Sequence, residues 1–104
     1  MKWTDMINVL NCYRKQEILT VYLKNGVIID GFVDTISESC TCELEEDNPD
    51  YQEYYMCALE ITDIIEIPEG ILFEESVGDL IELSICNEPQ KIIEKGKGVI
   101  WRVD

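Results

Sequence analysis

Glu43, Glu45, Glu46, Asp47, Asp50 and Glu53 crowd into one short stretch of this chain, and Tyr51, Tyr54 and Tyr55 lie among them. Asp30, Asp34 and Glu38 extend the acids upstream. Carboxylates at this density can attract cations, either metal ions or the lysines and arginines of another macromolecule. Tyrosine adds the aromatic anchor that protein interfaces favour. Acid–base catalysis is a poorer use of the same residues. It needs carboxylates whose surroundings push their pKa values apart, and the chain has no histidine to act as a base near neutral pH. A Gly-rich phosphate loop and an activated-nucleophile motif are also missing, so no enzymatic activity is expected. Asp47, Asn48 and Asp50 lack the glycine and distal glutamate of a calcium loop. Cys40 and Cys42 would share a strand face and could recruit Cys57 or Cys86, but paired knuckle spacings and histidine are wanting for zinc. No cofactor or metal is expected.

The wider charge pattern sharpens this reading. From Asn25 to Gln90 the chain has no lysine, arginine or histidine, yet that span carries 18 of its 22 acidic residues. With 8 basic residues in all, the net charge is -14. Direct binding to nucleic acid requires basic side chains that displace counterions from phosphates, so the charge argues against it and favours a basic partner. The structural alternative is a solvated charge run that only maintains solubility. Against this stands the self-repulsion that so many like charges impose on a folded chain.

At 104 residues with 46% hydrophobic content, the chain is expected to form one globular domain with a real core. No apolar run is long enough to span a membrane, and residues 1–15 lack the apolar core and cleavage site of a signal peptide. The expected setting is cytoplasmic, and the five cysteines are expected as reduced thiols.

Elements that would position the acids follow from local patterning. Thr4 is a good N-cap, and Met6, Ile7, Leu10 and Tyr13 mark one face of a short helix within residues 1–15. Residues 17–23 alternate as a strand, and Asn25-Gly26 signals a tight hairpin into a second strand over 27–36. Gly31 inside that strand marks a bend or bulge. Further strands are predicted over 40–45, 53–61 and 64–67, with turn chemistry at Asn48-Pro49-Asp50 and a brief turn at Thr62-Asp63. The fold class is therefore mainly β: a short helix, then a small, strongly bent five-stranded barrel over 17–67. Residues 70–104 form a C-terminal extension with strands over 80–85 and 99–103 and a short helix near 92–95. Trp3 and Trp101 are expected to pack partly buried over the barrel.

Leu23, Asn25, Gly26 and Gly31, followed by apolar Val33 and Ile36, resemble the first signature of the Sm-like family. The order of helix, hairpin, acidic hairpin and terminal strand is similar as well. That resemblance implies an Sm-like barrel. The family's RNA ligands are not matched: Ser37 and Thr41 stand at its aspartate and asparagine positions, and Ile61-Thr62-Asp63 stands where it has an arginine-glycine pair. In charge and in its Ile65-Glu-Ile-Pro-Glu-Gly70 ending, the chain looks like Rof, the small acidic Sm-like inhibitors of the Rho termination factor. The resemblance implies a protein that covers a basic nucleic-acid groove by imitating phosphate charge. By that resemblance the partner would be a transcription factor such as Rho; size and charge equally fit a phage anti-CRISPR inhibitor, whose partner is a Cas nuclease. Two other readings stand beside it: an oligomeric Sm-like ring that binds RNA or protein, and a housekeeping interaction domain.

Overall fold

The computed structural model describes residues 4–13, 17–40, 45 and 47–103. Thr4 starts the helix α1 (Asp5–Leu10), its hydroxyl accepting the Ile7 N–H at 3.2 Å. Six residues are too few for a helix to persist on its own in water. What holds α1 is the burial of Met6, Ile7 and Leu10.

Six strands follow: β1 (Leu19–Tyr22), β2 (Ile28–Cys40), β3 (Glu53–Glu66), β4 (Leu80–Leu83), β5 (Lys91–Glu94) and β6 (Gly98–Arg102). They form one antiparallel sheet in the order β4-β3-β2-β1-β5-β6. Between β1 and β2 the turn is built as its residues demand. Gly26 takes φ 92°, a conformation in which a side chain would be strained, and the Asn25 side chain accepts the Val27 N–H at 3.1 Å.

One face of the sheet carries Leu19, Val21, Ile29, Val33, Leu59, Ile61, Ile81 and Ile92, and these with α1 make the core. The helix lies against both β3 and β6. In a flat sheet those strands would be about 19 Å apart, four spacings of ~4.8 Å, which is beyond the width of one helix. The sheet must therefore curl around α1. β2 allows the curl through register shifts at Ile28/Ile29, Asp30/Gly31 and Val33/Thr35. At the middle shift, a Cβ on Gly31 would lie 2.5 Å from the Glu60 carbonyl oxygen and 2.7 Å from Leu59 Cδ2.

The mainly β class, the short first helix and the Asn25-Gly26 hairpin match the reading of the sequence. Four details differ. β2 continues to Cys40, and the strand expected over 40–45 falls largely on residues 41–44, outside the described residues. The turn expected at Thr62-Asp63 does not form: Asp63 and Ile64 stay in the ladder opposite Asp30 and Ile29, so β3 is one long strand. The helix expected near 92–95 is strand β5, because β1 offers an unpaired edge that Lys91–Glu94 fills. The last third of the chain thus supplies three strands of the same sheet, six in all where five and an extension were expected. Trp101 is half-buried against the core, while Trp3 lies outside the described residues.

Replacing Gly31 by alanine should force backbone and Leu59 apart. The expected cost is about 2 kcal/mol, a fall of roughly 10 °C in Tm by circular dichroism. A shift smaller than about 2 °C would show that the close approach does not constrain the sheet.

Candidate functional site

β2 and β3 form a long hairpin whose inner half builds the core and whose outer half presents an exposed face, although Ile36, Tyr55 and Cys57 still pack inward there. Past the shift at Val33/Thr35, Thr35, Ser37 and Glu38 are exposed. The hairpin loop is shaped by Asn48, whose side chain accepts the Asp50 N–H at 2.8 Å while its carbonyl accepts the Tyr51 N–H at 2.9 Å. This leaves Glu45, Asp47, Asp50 and Glu53 exposed around the outer end. Glu38, Ser39, Cys40, Tyr51 and Glu53 line a shallow concavity of about 320 Å³ there. The outer hairpin is the candidate site. It gathers Glu38, Glu45, Asp47, Asp50, Tyr51 and Glu53 from the residues the sequence singled out; Glu43 and Glu46 lie outside the described residues.

The remaining candidates sit elsewhere. Tyr54 is 7% exposed on the sheet's other face, its hydroxyl donating to Glu82 Oε2 at 3.4 Å. Glu82 also receives the Ser84 hydroxyl at 2.6 Å. Tyr55 packs half-buried against the core, opposite Glu38. Asp34 is half-buried at the register shift, close enough to Cys57 to influence its thiol.

Asp30 is only 2% exposed. It accepts the Thr20 hydroxyl at 2.6 Å and the Lys95 ammonium at 2.5 Å, a contact joining residues 65 apart in sequence. The Lys95 backbone N–H is held in turn by the Ile18 carbonyl at 3.1 Å. Asp63 lies directly across the ladder from Asp30, an unfavourable pairing of like charges. Lys95 relieves it. Its pKa is raised, first by the hydrogen bond to Asp30 and then by that carboxylate's charge, with Asp63 adding. Asp30 therefore sits within the fold, away from any surface a partner could reach.

Other bases of the tail also have internal uses. Lys97 pairs with Glu94 at 3.0 Å, and Lys91 lies 4.4 Å from the centre of the Tyr22 ring. Lys24 approaches Glu88 at 3.7 Å, an exposed pair of little energetic weight. These contacts lie along β1, β5 and the adjoining turns, away from the outer hairpin.

Among the described residues no group of three or more acids and cysteines is arranged to hold a metal ion. Cys40 is disulfide-bonded, against the expectation of reduced thiols throughout, whereas Cys12, Cys57 and Cys86 are free. The Cys57 thiol is pushed up to about 12, by burial and then by the Asp34 carboxylate.

Sequence reasoning missed a second surface. Leu72, Val77 and Leu80 are 81%, 59% and 53% exposed, and Glu69, Glu74, Glu75 and Asp79 are exposed around them. A usable signal was present: Ile71, Leu72 and Phe73 form an apolar run inside an acidic segment.

The model of the family described as cognate immunity protein YxxD matches residues 1–104, and the chain belongs to that family. No match is found among curated proteins or among solved structures. An immunity protein is defined by a cognate partner, so the coarse expectation of a small inhibitor-like protein agrees with the family.

Three outcomes follow from the side-chain environments. The Glu94 carboxyl is held below its usual range, chiefly by the Lys97 hydrogen bond and further by the Tyr13 hydroxyl at 3.0 Å, against the opposing push of burial. A depressed folded pKa gives stability that is present above the unfolded value and lost as pH falls through the folded one. Glu94→Gln should therefore flatten the loss of Tm between about pH 5 and pH 3; superimposable acid limbs would contradict the assignment. For Lys95 the sign is opposite, since its raised pKa gives stability below the ordinary 10.5 that is lost above it. Lys95→Met should lower Tm at neutral pH and show a shallower alkaline decline. Among the free thiols of the described residues, Cys12 and Cys86 are exposed and should alkylate in the native protein, whereas Cys57 should react only after denaturation. Peptide mapping that found native Cys57 labelled as fast as Cys86 would contradict its burial.

Proposed function

We propose that this immunity protein neutralises its cognate toxin by occupying a basic, nucleic-acid-binding groove with the acidic outer half of the β2–β3 hairpin. One observation carries the reading. The hairpin projects exposed Glu38, Glu45, Asp47, Asp50 and Glu53 from a span that has no basic residue between Asn25 and Gln90. The family supplies the expectation of a dedicated partner, and the charge supplies the partner's chemistry. A groove that holds phosphates is lined by lysine and arginine, and carboxylates spaced along a hairpin can take the place of the phosphates. Such complementarity speeds encounter and suppresses wrong partners. It also makes association sensitive to salt, because charges exposed at an interface are screened. A toxin fits the family better than the Cas nuclease suggested by size and charge or the Rho-type factor suggested by resemblance.

On this reading the protein acts as one domain over residues 1–104, by occupation and without catalysis, in the cytoplasm. The similarity to Sm-like proteins would lie in a bent antiparallel sheet behind a short helix. The family's RNA ligands are replaced here by Ser37 and Thr41, with an acidic hairpin beside them.

Charge reversal tests the proposal. The variant Glu45→Lys, Asp47→Lys, Asp50→Lys, Glu53→Lys changes exposed positions only and should keep its Tm. Its affinity for the toxin should fall by about 100-fold or more at low salt, and the salt dependence of binding should shrink. Wild-type affinity and intact protection of toxin-expressing cells would contradict the proposed contact.

A further inference from the structure

Among its described residues the acidic hairpin offers charge and one half-buried tyrosine, Tyr51, whereas stable interfaces depend on a desolvated apolar centre. The second surface has one. Leu72 and Leu80 line a concavity of about 330 Å³ with Phe73, Glu75 and Glu82. A neighbouring concavity of about 350 Å³, which includes Ile85, shares Leu23, Asn25 and Asn87 with it. Singly exposed leucines are ordinary on protein surfaces. These share one depression, and the chain between β3 and β4 holds them there. Ile71 and Phe73 pack against the core, turning Leu72 outward to 81% exposure. The segment is fastened at several points: Ile71 N–H to the Pro68 carbonyl at 3.1 Å, Ser76 N–H to the Asp79 carboxylate at 2.8 Å, and Gly78 N–H to the Ile61 carbonyl at 2.8 Å. An ordered backbone displaying leucines in a depression is preorganised for contact, so little ordering entropy is lost on binding.

The surrounding charge selects the occupant. Residues 60–90 carry Glu60, Asp63, Glu66, Glu69, Glu74, Glu75, Asp79, Glu82 and Glu88 and no base; Lys24, on the wall of the neighbouring concavity, is already paired with Glu88 at 3.7 Å. A second copy of this chain would bring the same acids, and a net charge of -14, against them. Like charges brought together at an interface cost affinity. Addition of a strand to the β4 edge is also disfavoured. The Asn87 side chain donates to the Glu82 carbonyl at 2.5 Å, and Ser84 and Asn87 exchange backbone hydrogen bonds, so the chain folds back beside β4. Blunting an edge in this way guards against further pairing.

Resting on the immunity reading, we infer that the Leu72–Leu80 depression is a second docking surface for the cognate toxin, receiving an apolar side chain from a part of the toxin bordered by lysine or arginine. Leu72 and Leu80 are the anchors, and the acids around them bind the rim. The two surfaces divide the work: the hairpin carboxylates steer encounter, and the leucines slow departure.

The test uses the full chain and the toxin polypeptide made with an inactivating substitution, followed by surface plasmon resonance at several salt concentrations. Leu72→Asp and Leu80→Asp alter exposed side chains and should leave Tm close to that of the wild type. Each should raise the dissociation rate by about 10-fold or more, with the association rate and salt slope little changed, as expected for loss of a buried anchor. Leucine variants that dissociate at the wild-type rate would overturn the inference. If the hairpin reversal still weakened binding, the proposed function would stand without the second surface. Weaker binding by the leucine variants alongside wild-type behaviour of the hairpin reversal would support the docking surface and move the contact away from the hairpin. Unchanged binding by both sets would overturn both.

Discussion

A Cβ at position 31 would come within 2.5 Å of the Glu60 carbonyl oxygen, so β2 and β3 can approach as they do only because residue 31 is glycine. The curl of the sheet passes through this contact. β2 shifts register beside it, and the bent sheet brings β3 and β6 to the same short helix. Without that bend, Met6, Ile7 and Leu10 would lack a concave face to fill, and a six-residue helix could not persist. Past the Val33/Thr35 shift, Thr35, Ser37 and Glu38 face solvent, while Ile36, Tyr55 and Cys57 stay with the core.

Charge is then distributed by position. A chain with 22 acids and 8 bases must place its few cations where they count most. Lys95 serves the buried Asp30 and the facing Asp63, Lys97 serves Glu94, and Lys91 rests on Tyr22. Lys95 and Lys91 thereby fasten the β5–β6 turn to β2 and β5 to β1, while the Lys97–Glu94 pair lies within β5 and its turn. The outer hairpin and the segment between β3 and β4 keep their carboxylates toward solvent. On the proposed function the partner brings the missing cations; the family itself is defined by cognate pairing.

The elements whose signals are local were readable from sequence. Thr4 as a cap, the three- and four-residue spacing of Met6, Ile7 and Leu10, and Asn25-Gly26 each act over a few residues. What escaped depends on distant pairing. Asp30 reads as one more surface acid until Lys95, 65 residues away, is found beside it. Thr62-Asp63 resembles a turn in isolation, yet its ladder with β2 absorbs the irregularity as a register shift. Residues 91–94 have no strong strand signal of their own and become β5 because β1 has a free edge. The Leu72–Leu80 depression was hidden for a related reason, since only the packing of Ile71 and Phe73 determines which apolar residues face outward.

In the proposed mode of action, a curled sheet presents acids and a leucine-lined depression to a basic toxin. Hydrogen exchange of the protein alone and in complex with its toxin tests this most directly, because it locates the contact without altering any residue. Protection on binding is expected over residues 35–40 and 47–55 at the outer hairpin and over 71–82 around the depression. Protection confined to α1 and β6, with both acidic surfaces exchanging as in the free protein, would contradict it.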